Sequence, residues 1–151
     1  MWLDAILAYL HFAAIFMLFA FLTTQAILIR APLDARMVRL MGRTDLWYFG
    51  CAFAVLVTGF LRAVLGAKGA DFYFNSWPIY AKIALFLAVG VISVKPTMTF
   101  IQWRRAQDND ASWQVPPDEQ AKVRRLIMIE VHLAALIPVF AVIMSRGLGH
   151  S

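Results

Sequence analysis

Four long apolar runs, separated by short charged segments, dominate the pattern along the chain. The first extends from about Leu3 to Ile29 with a single formal charge, Asp4. The second covers about Leu46 to Leu65, around the uncharged stretch CAFAVLVTGFL. The third runs from about Pro78 to Ile101 and carries Lys82 and Lys95, and the fourth from about Lys122 to Ser145. Each is close to the ~20 residues that a helix needs to cross the hydrocarbon of a bilayer. No strict alternation of apolar and polar positions argues for a barrel, and a spanning segment must satisfy its own backbone polar groups, so helices are predicted. The expected fold is all-α: one four-helix transmembrane bundle over residues 1–151, without an internal repeat. Pro96 and Pro138 fall inside the third and fourth helices, where neighbouring helices can accommodate a kink.

Composition supports this class and removes others. Of the chain's residues 62% are hydrophobic and only 15% charged, with mean hydropathy +0.69. That is far from an ordinary soluble domain. The first run is too long for a secretory leader and lacks a basic start and a small-residue cleavage site. The net charge of +5 fits basic loops lying against anionic headgroups, without nucleic acid as a partner. Cys51 is the sole cysteine and sits in an apolar run, so it reads as a small buried hydrophobe.

The loops set an orientation. Arg30, Arg36, Arg39 and Arg43 lie between the first two runs, and Arg104, Arg105, Lys122, Arg124 and Arg125 flank the third connection. The other side offers Arg62, Lys68 and Arg146. Excess Lys and Arg marks the cytoplasmic side, which predicts both termini on the outer, periplasmic face of a bacterial inner membrane. Tyr73, Trp77 and Tyr80 at one side, with Trp47, Tyr48, Trp103 and Trp113 at the other, are candidate interface anchors. Pro117, followed by Asp118 and Glu119, has the composition of a helix start, and Asp45 is expected as an anion at the start of the second helix.

Two histidines, His11 and His132, stand inside apolar runs, where an ionisable side chain suggests function. His11 lies ~12 Å and His132 ~20 Å from the outer ends of their helices, at 1.5 Å per residue. Axial ligation of haem needs an imidazole from each side of the porphyrin, commonly from facing helices. His11 and His132 are therefore candidate ligands of one haem b iron; the alternative is that each only hydrogen-bonds a helix neighbour. Arg62 and Lys82 are the cations expected near such a cofactor's propionates, or else they snorkel to phospholipid headgroups. Lys95 and Glu130 share a depth nearer the cytoplasm and are expected as a buried ion pair. In the functional version of that pair Glu130 accepts protons. Thr23, Thr24 and Gln25 are expected as interhelical hydrogen-bonders.

The stretches YLHFAAIF, TDLWYFG, LVTGFLR, GAKGADFY, AKIALFL, SVKPT with WRR, and IP followed by MSRGLG span nearly the whole chain. Together they resemble a small bacterial integral-membrane family defined only as a domain of unknown function, which implies four helices and no established activity. More distantly, the chain's size and early histidine are similar to four-helix protoporphyrinogen-oxidase membrane proteins and copper-resistance membrane domains, some of which hold haem. The sequence departs from them in lacking an evident histidine in the third helix and a Met-rich or paired-His segment for copper.

Three functions fit these observations. One is a haem b protein moving electrons, with quinone or a larger membrane complex as partner. A second is a membrane enzyme of tetrapyrrole metabolism, and the third a cofactor-free accessory subunit of a respiratory or photosynthetic complex. No nucleophile–base pair or phosphate loop argues for hydrolysis or group transfer, and too few polar residues line up for an ion-conducting path. The topology is directly testable by cysteine labelling of intact cells: a cysteine at Ser151 should label from outside and one at Asn109 should not, and the opposite result inverts the model.

Overall fold

The computed structural model describes residues 2–66 and 75–146 and is built from four helices. They are α1 (Trp2–Leu28), α2 (Ala35–Leu65), α3 (Trp77–Asn109) and α4 (Pro117–Ser145). All four are long and apolar enough to cross a membrane. Lys68, Tyr73, the GAKGADFY stretch beyond Gly66, and Ser151 lie outside the described residues.

The helices form a ring in chain order. α1 packs along α2 and α3 along α4, while α2 with α3 and α1 with α4 close it. Alternating directions put the α1–α2 and α3–α4 connections at one end, called here the basic end, and the α2–α3 connection at the opposite end. The inward positions recur at alternating intervals of three and four, as in coiled-coil seams. On α1 they include Leu7, Leu18, Leu22 and Gln25; on α2, Val38, Met41, Asp45 and Tyr48. On α3 they include Val89, Ser93, Pro96, Phe100 and Trp103, and on α4 Val123, Ile127, Glu130 and Ala134.

Most of the remaining apolar surface faces outward: Phe16 is 72% exposed, Phe53 69% and Val91 74%. Such a belt is far beyond what a water-soluble monomer leaves uncovered, and lipid is the medium that satisfies it. The chain is a multi-pass membrane protein.

Three helices outrun their apolar segments. α2 begins at Ala35, not near Leu46, because the Asp34 carboxylate accepts a 2.7 Å hydrogen bond from the Met37 N–H and caps it. Arg36, Arg39 and Arg43 are thus on the first turns of a 31-residue helix about 46 Å long. Asp45 is consequently not at a helix start; it lies in the third turn and is buried. α3 continues to Asn109 and α4 starts at Pro117, where Pro117, Asp118 and Glu119 form the expected first turn.

The basic end is held by side chains that reach across connections. The Gln120 amide donates to the Ile29 and Ala31 carbonyls at 2.8 and 3.1 Å, satisfying backbone acceptors beyond the end of α1. Trp103 donates its indole N–H to Glu119 at 2.7 Å, tying α3 to α4. In the connecting turn the Ser112 N–H and hydroxyl donate to Asp110 and hold its carboxyl below the usual carboxylate range. This turn keeps its hydrogen bonds until pH falls through that lowered range.

Candidate functional site

Polar side chains inside the bundle fall into two groups at different levels. The group toward the α2–α3 connection is built on His11, which lies on the α1 seam four residues from Leu7 and seven from Leu18. Its Nδ1 is 2.9 Å from the Thr58 hydroxyl on α2. That hydroxyl donates its one hydrogen to the Ala54 carbonyl at 2.6 Å, so its oxygen is left to accept. With that hydrogen held by Ala54, His11 donates from Nδ1 and the Nε2 lone pair is free.

Close approach of the ring to α2 depends on Gly59: a Cβ there would stand 3.1 Å from His11 Cε1. One turn beyond Thr58, the Arg62 guanidinium lies 5.5 Å from the Phe12 ring centroid, and its buried Nε has no hydrogen-bond partner. Lys82 on α3 is the charged neighbour of both Arg62 and His11. Among the described residues no carboxylate forms an ion pair with Arg62 or Lys82.

The structure thus brings together His11, Arg62 and Lys82 but leaves His132 elsewhere. His132 is two residues past the buried Glu130, about 200° around the helix at 3.6 residues per turn. It is exposed on the outside of the bundle, and its Nδ1 binds its own helix at the Met128 carbonyl, 2.6 Å away. As packed, His11 and His132 do not form a ligand pair on two sides of an internal haem. His11 and His132 each have Nδ1 anchored by a hydrogen bond, and of the two it is His11 that sits inside the bundle beside other helices.

The second group lies nearer the basic end and draws on every helix. Gln25 on α1 donates to Asp45 on α2 at 3.1 Å. Tyr48, one turn along α2, reaches diagonally across the core and donates to Glu130 on α4 at 3.4 Å. From α3 the Thr97 and Ser93 hydroxyls come within hydrogen-bonding reach of Asp45 and Tyr48. Glu130 is 1% exposed, and its other oxygen, Oε1, has no partner.

Lys95 is not that partner. It follows the seam residue Ser93 by two positions, is exposed, and lines a groove between α3 and α4. The expected Lys95–Glu130 ion pair is therefore replaced by Tyr48–Glu130. Gln25 does bond between helices, whereas Thr24 returns its hydroxyl to the Ala20 carbonyl of α1. Thr58, Gly59 and Tyr48 were not singled out as site residues by sequence reasoning; the three–four seam spacing was the signal that separates them from His132 and Lys95.

The comparisons agree with this architecture. A family model described as Predicted membrane protein (DUF2214) matches residues 3–149. The chain belongs to this family. No curated protein and no solved structure matches it, so neither the protoporphyrinogen-oxidase nor the copper-resistance resemblance gains support.

The His11 geometry is checked by nitrogen NMR of imidazole-labelled protein in nanodiscs, with the His11 signal assigned by its loss in His11→Gln. The expected signal is the Nδ1-protonated tautomer, and Thr58→Val should perturb it. A wild-type ring protonated on Nε2 would contradict the assignment.

Proposed function

We propose that this membrane protein binds a carboxylate-bearing amphiphile at the His11–Arg62–Lys82 cluster, and that the ligand is haem b serving electron transfer. The observation that carries the reading is the pair of neighbouring cations with no ion-paired carboxylate among the described residues, set beside a histidine whose Nε2 is free. Two like charges in a partly desolvated site repel, and an anion between them relieves that cost. Arginine is suited to carboxylate in particular, because its planar fork makes paired charge-assisted hydrogen bonds.

Haem uses all three residues. It would be held by His11 Nε2 at the iron and by Arg62 and Lys82 at the propionates, and it would supply one-electron chemistry. The chain's own part is to anchor the imidazole through Thr58, to place positive charge at the propionates and to exclude water with the surrounding apolar helices. On this reading one histidine of the bundle serves the iron rather than two. The arginine-rich basic end faces the cytoplasm of a bacterial inner membrane, and quinone or a larger membrane complex exchanges the electrons.

A second reading rests on His132. A polar ring on the lipid-facing surface is a contact that a partner helix can use, which favours an accessory subunit packed against a larger complex.

Titration of haem-free protein in nanodiscs with haemin separates the two readings. Stoichiometric uptake with a shifted Soret band is expected, lost in His11→Ala and retained in His132→Ala. Arg62→Gln and Lys82→Gln should each weaken binding about tenfold, equivalent to ~1.4 kcal/mol. No saturable uptake, or uptake indifferent to His11→Ala, overturns the haem reading. Co-purification with large membrane subunits that is lost in His132→Ala would then support the second.

A further inference from the structure

The Asp45–Glu130 layer plays no part in the proposed haem site and is separated from it by apolar packing. Ten residues, about 15 Å of helix, divide Tyr48 from Thr58 on α2. Cys51, Ala52 and Val55, which lie between them, pack against the apolar core. The chemistry of this layer is therefore separate from that of His11.

Its unusual member is Glu130. The ionisable groups around it are Tyr48 and Asp45 from α2; behind them Ser93 reaches Tyr48, and Thr97 and Gln25 reach Asp45. Among the described residues no Lys, Arg or His is ion-paired or hydrogen-bonded to it. Tyr48 donates to Oε2, and the buried Oε1 has neither a donor nor an acceptor. An anion in that position would be uncompensated in a medium where charge is very costly, with a second carboxyl nearby.

A neutral acid removes the uncompensated charge, with Oε2 accepting from Tyr48 as the carbonyl oxygen and Oε1 carrying a hydrogen that still needs an acceptor. Water exchanging with that atom would approach it from the basic end. A groove of about 190 Å³ between α3 and α4, lined by Lys95, Thr99, Gln102, Glu119, Lys122 and Leu126 among others, opens at the basic end. Leu126 lies one helical turn before Glu130 on α4.

We propose that Glu130 is a proton-exchange site: its carboxyl rests as the neutral acid and trades the Oε1 proton with water entering from the basic end through the α3–α4 groove. The only bond broken and remade is that O–H, with the proton passing to and from water. Tyr48 positions the group by holding Oε2, and Asp45 is kept in place by Gln25.

Infrared spectroscopy of the full chain in nanodiscs tests this. At neutral pH the wild type should show a carboxylic-acid carbonyl band that shifts in heavy water, and Glu130→Gln should abolish it. Tyr48→Phe removes the hydrogen bond to the carbonyl oxygen and should move the band to higher frequency, which provides a readout if Glu130→Gln does not fold. Asp45→Asn should leave the band present, and sodium chloride should leave it unchanged. Absence of the band, its survival in Glu130→Gln, its failure to shift in heavy water, or its loss on adding sodium overturns the proposal; the last result identifies a metal-cation site instead.

Discussion

A polar atom among lipid-facing helices has no water to bond, and the arrangement of this bundle follows from that constraint. Gln25, Asp45, Tyr48, Ser93, Thr97 and Glu130 come from four helices and meet at one level. Apolar packing alone fixes rotation weakly in lipid, because a leucine gains little by leaving a lipid tail for another leucine. Tyr48 joins α2 to α4 across the diagonal, where the backbones themselves do not approach closely. Rotating either helix by one residue would carry its polar group out of the layer and strand the other. The layer therefore sets the register that also brings His11, Arg62 and Lys82 onto one interior face at the other end.

The two polar levels differ in sign. Among the described residues, the bundle interior near the basic end holds two carboxyls without an ion-paired cation, and toward the α2–α3 connection two cations and a histidine without an ion-paired carboxylate. Pairing the two levels would cancel both costs, but Leu18, Leu22, Val55, Phe86 and Val89 fill the space between them. This separation argues against a continuous polar route through the bundle and for two local sites, each completed from its own side. A proton can complete one and an anionic ligand the other.

Much of the fold was legible in the sequence, because run length and charge placement report depth directly. They gave four helices and put Arg62, Lys82 and His11 near one level. Rotation about each axis was harder to read, since these helices are apolar all round and amphipathicity gives little help. Lys95 and Glu130 share a depth, yet Lys95 sits two residues from the inward Ser93 and faces away; His132 sits two residues from Glu130, faces away and lies nearer the level of Glu130 than that of His11. The seam spacing Val123, Ile127, Glu130, Ala134 contains this information, but it becomes decisive only once Glu130 is known to point inward. The start of α2 was obscured for a different reason: Arg36, Arg39 and Arg43 mimic a polar loop, whereas the Asp34 cap commits them to a helix that extends beyond the apolar run.

The claim on which the rest depends is that Tyr48 and Glu130 are coupled across the core. A double-mutant cycle measures it, with Tyr48→Phe, Glu130→Gln and the combined variant unfolded reversibly in bicelles. The hydrogen bond predicts non-additive losses with a coupling energy of about 0.5–1.5 kcal/mol, the range found for polar pairs between membrane helices. Strictly additive losses would mean that the two side chains do not meet, and would contradict the packing of α2 against α4 through this layer.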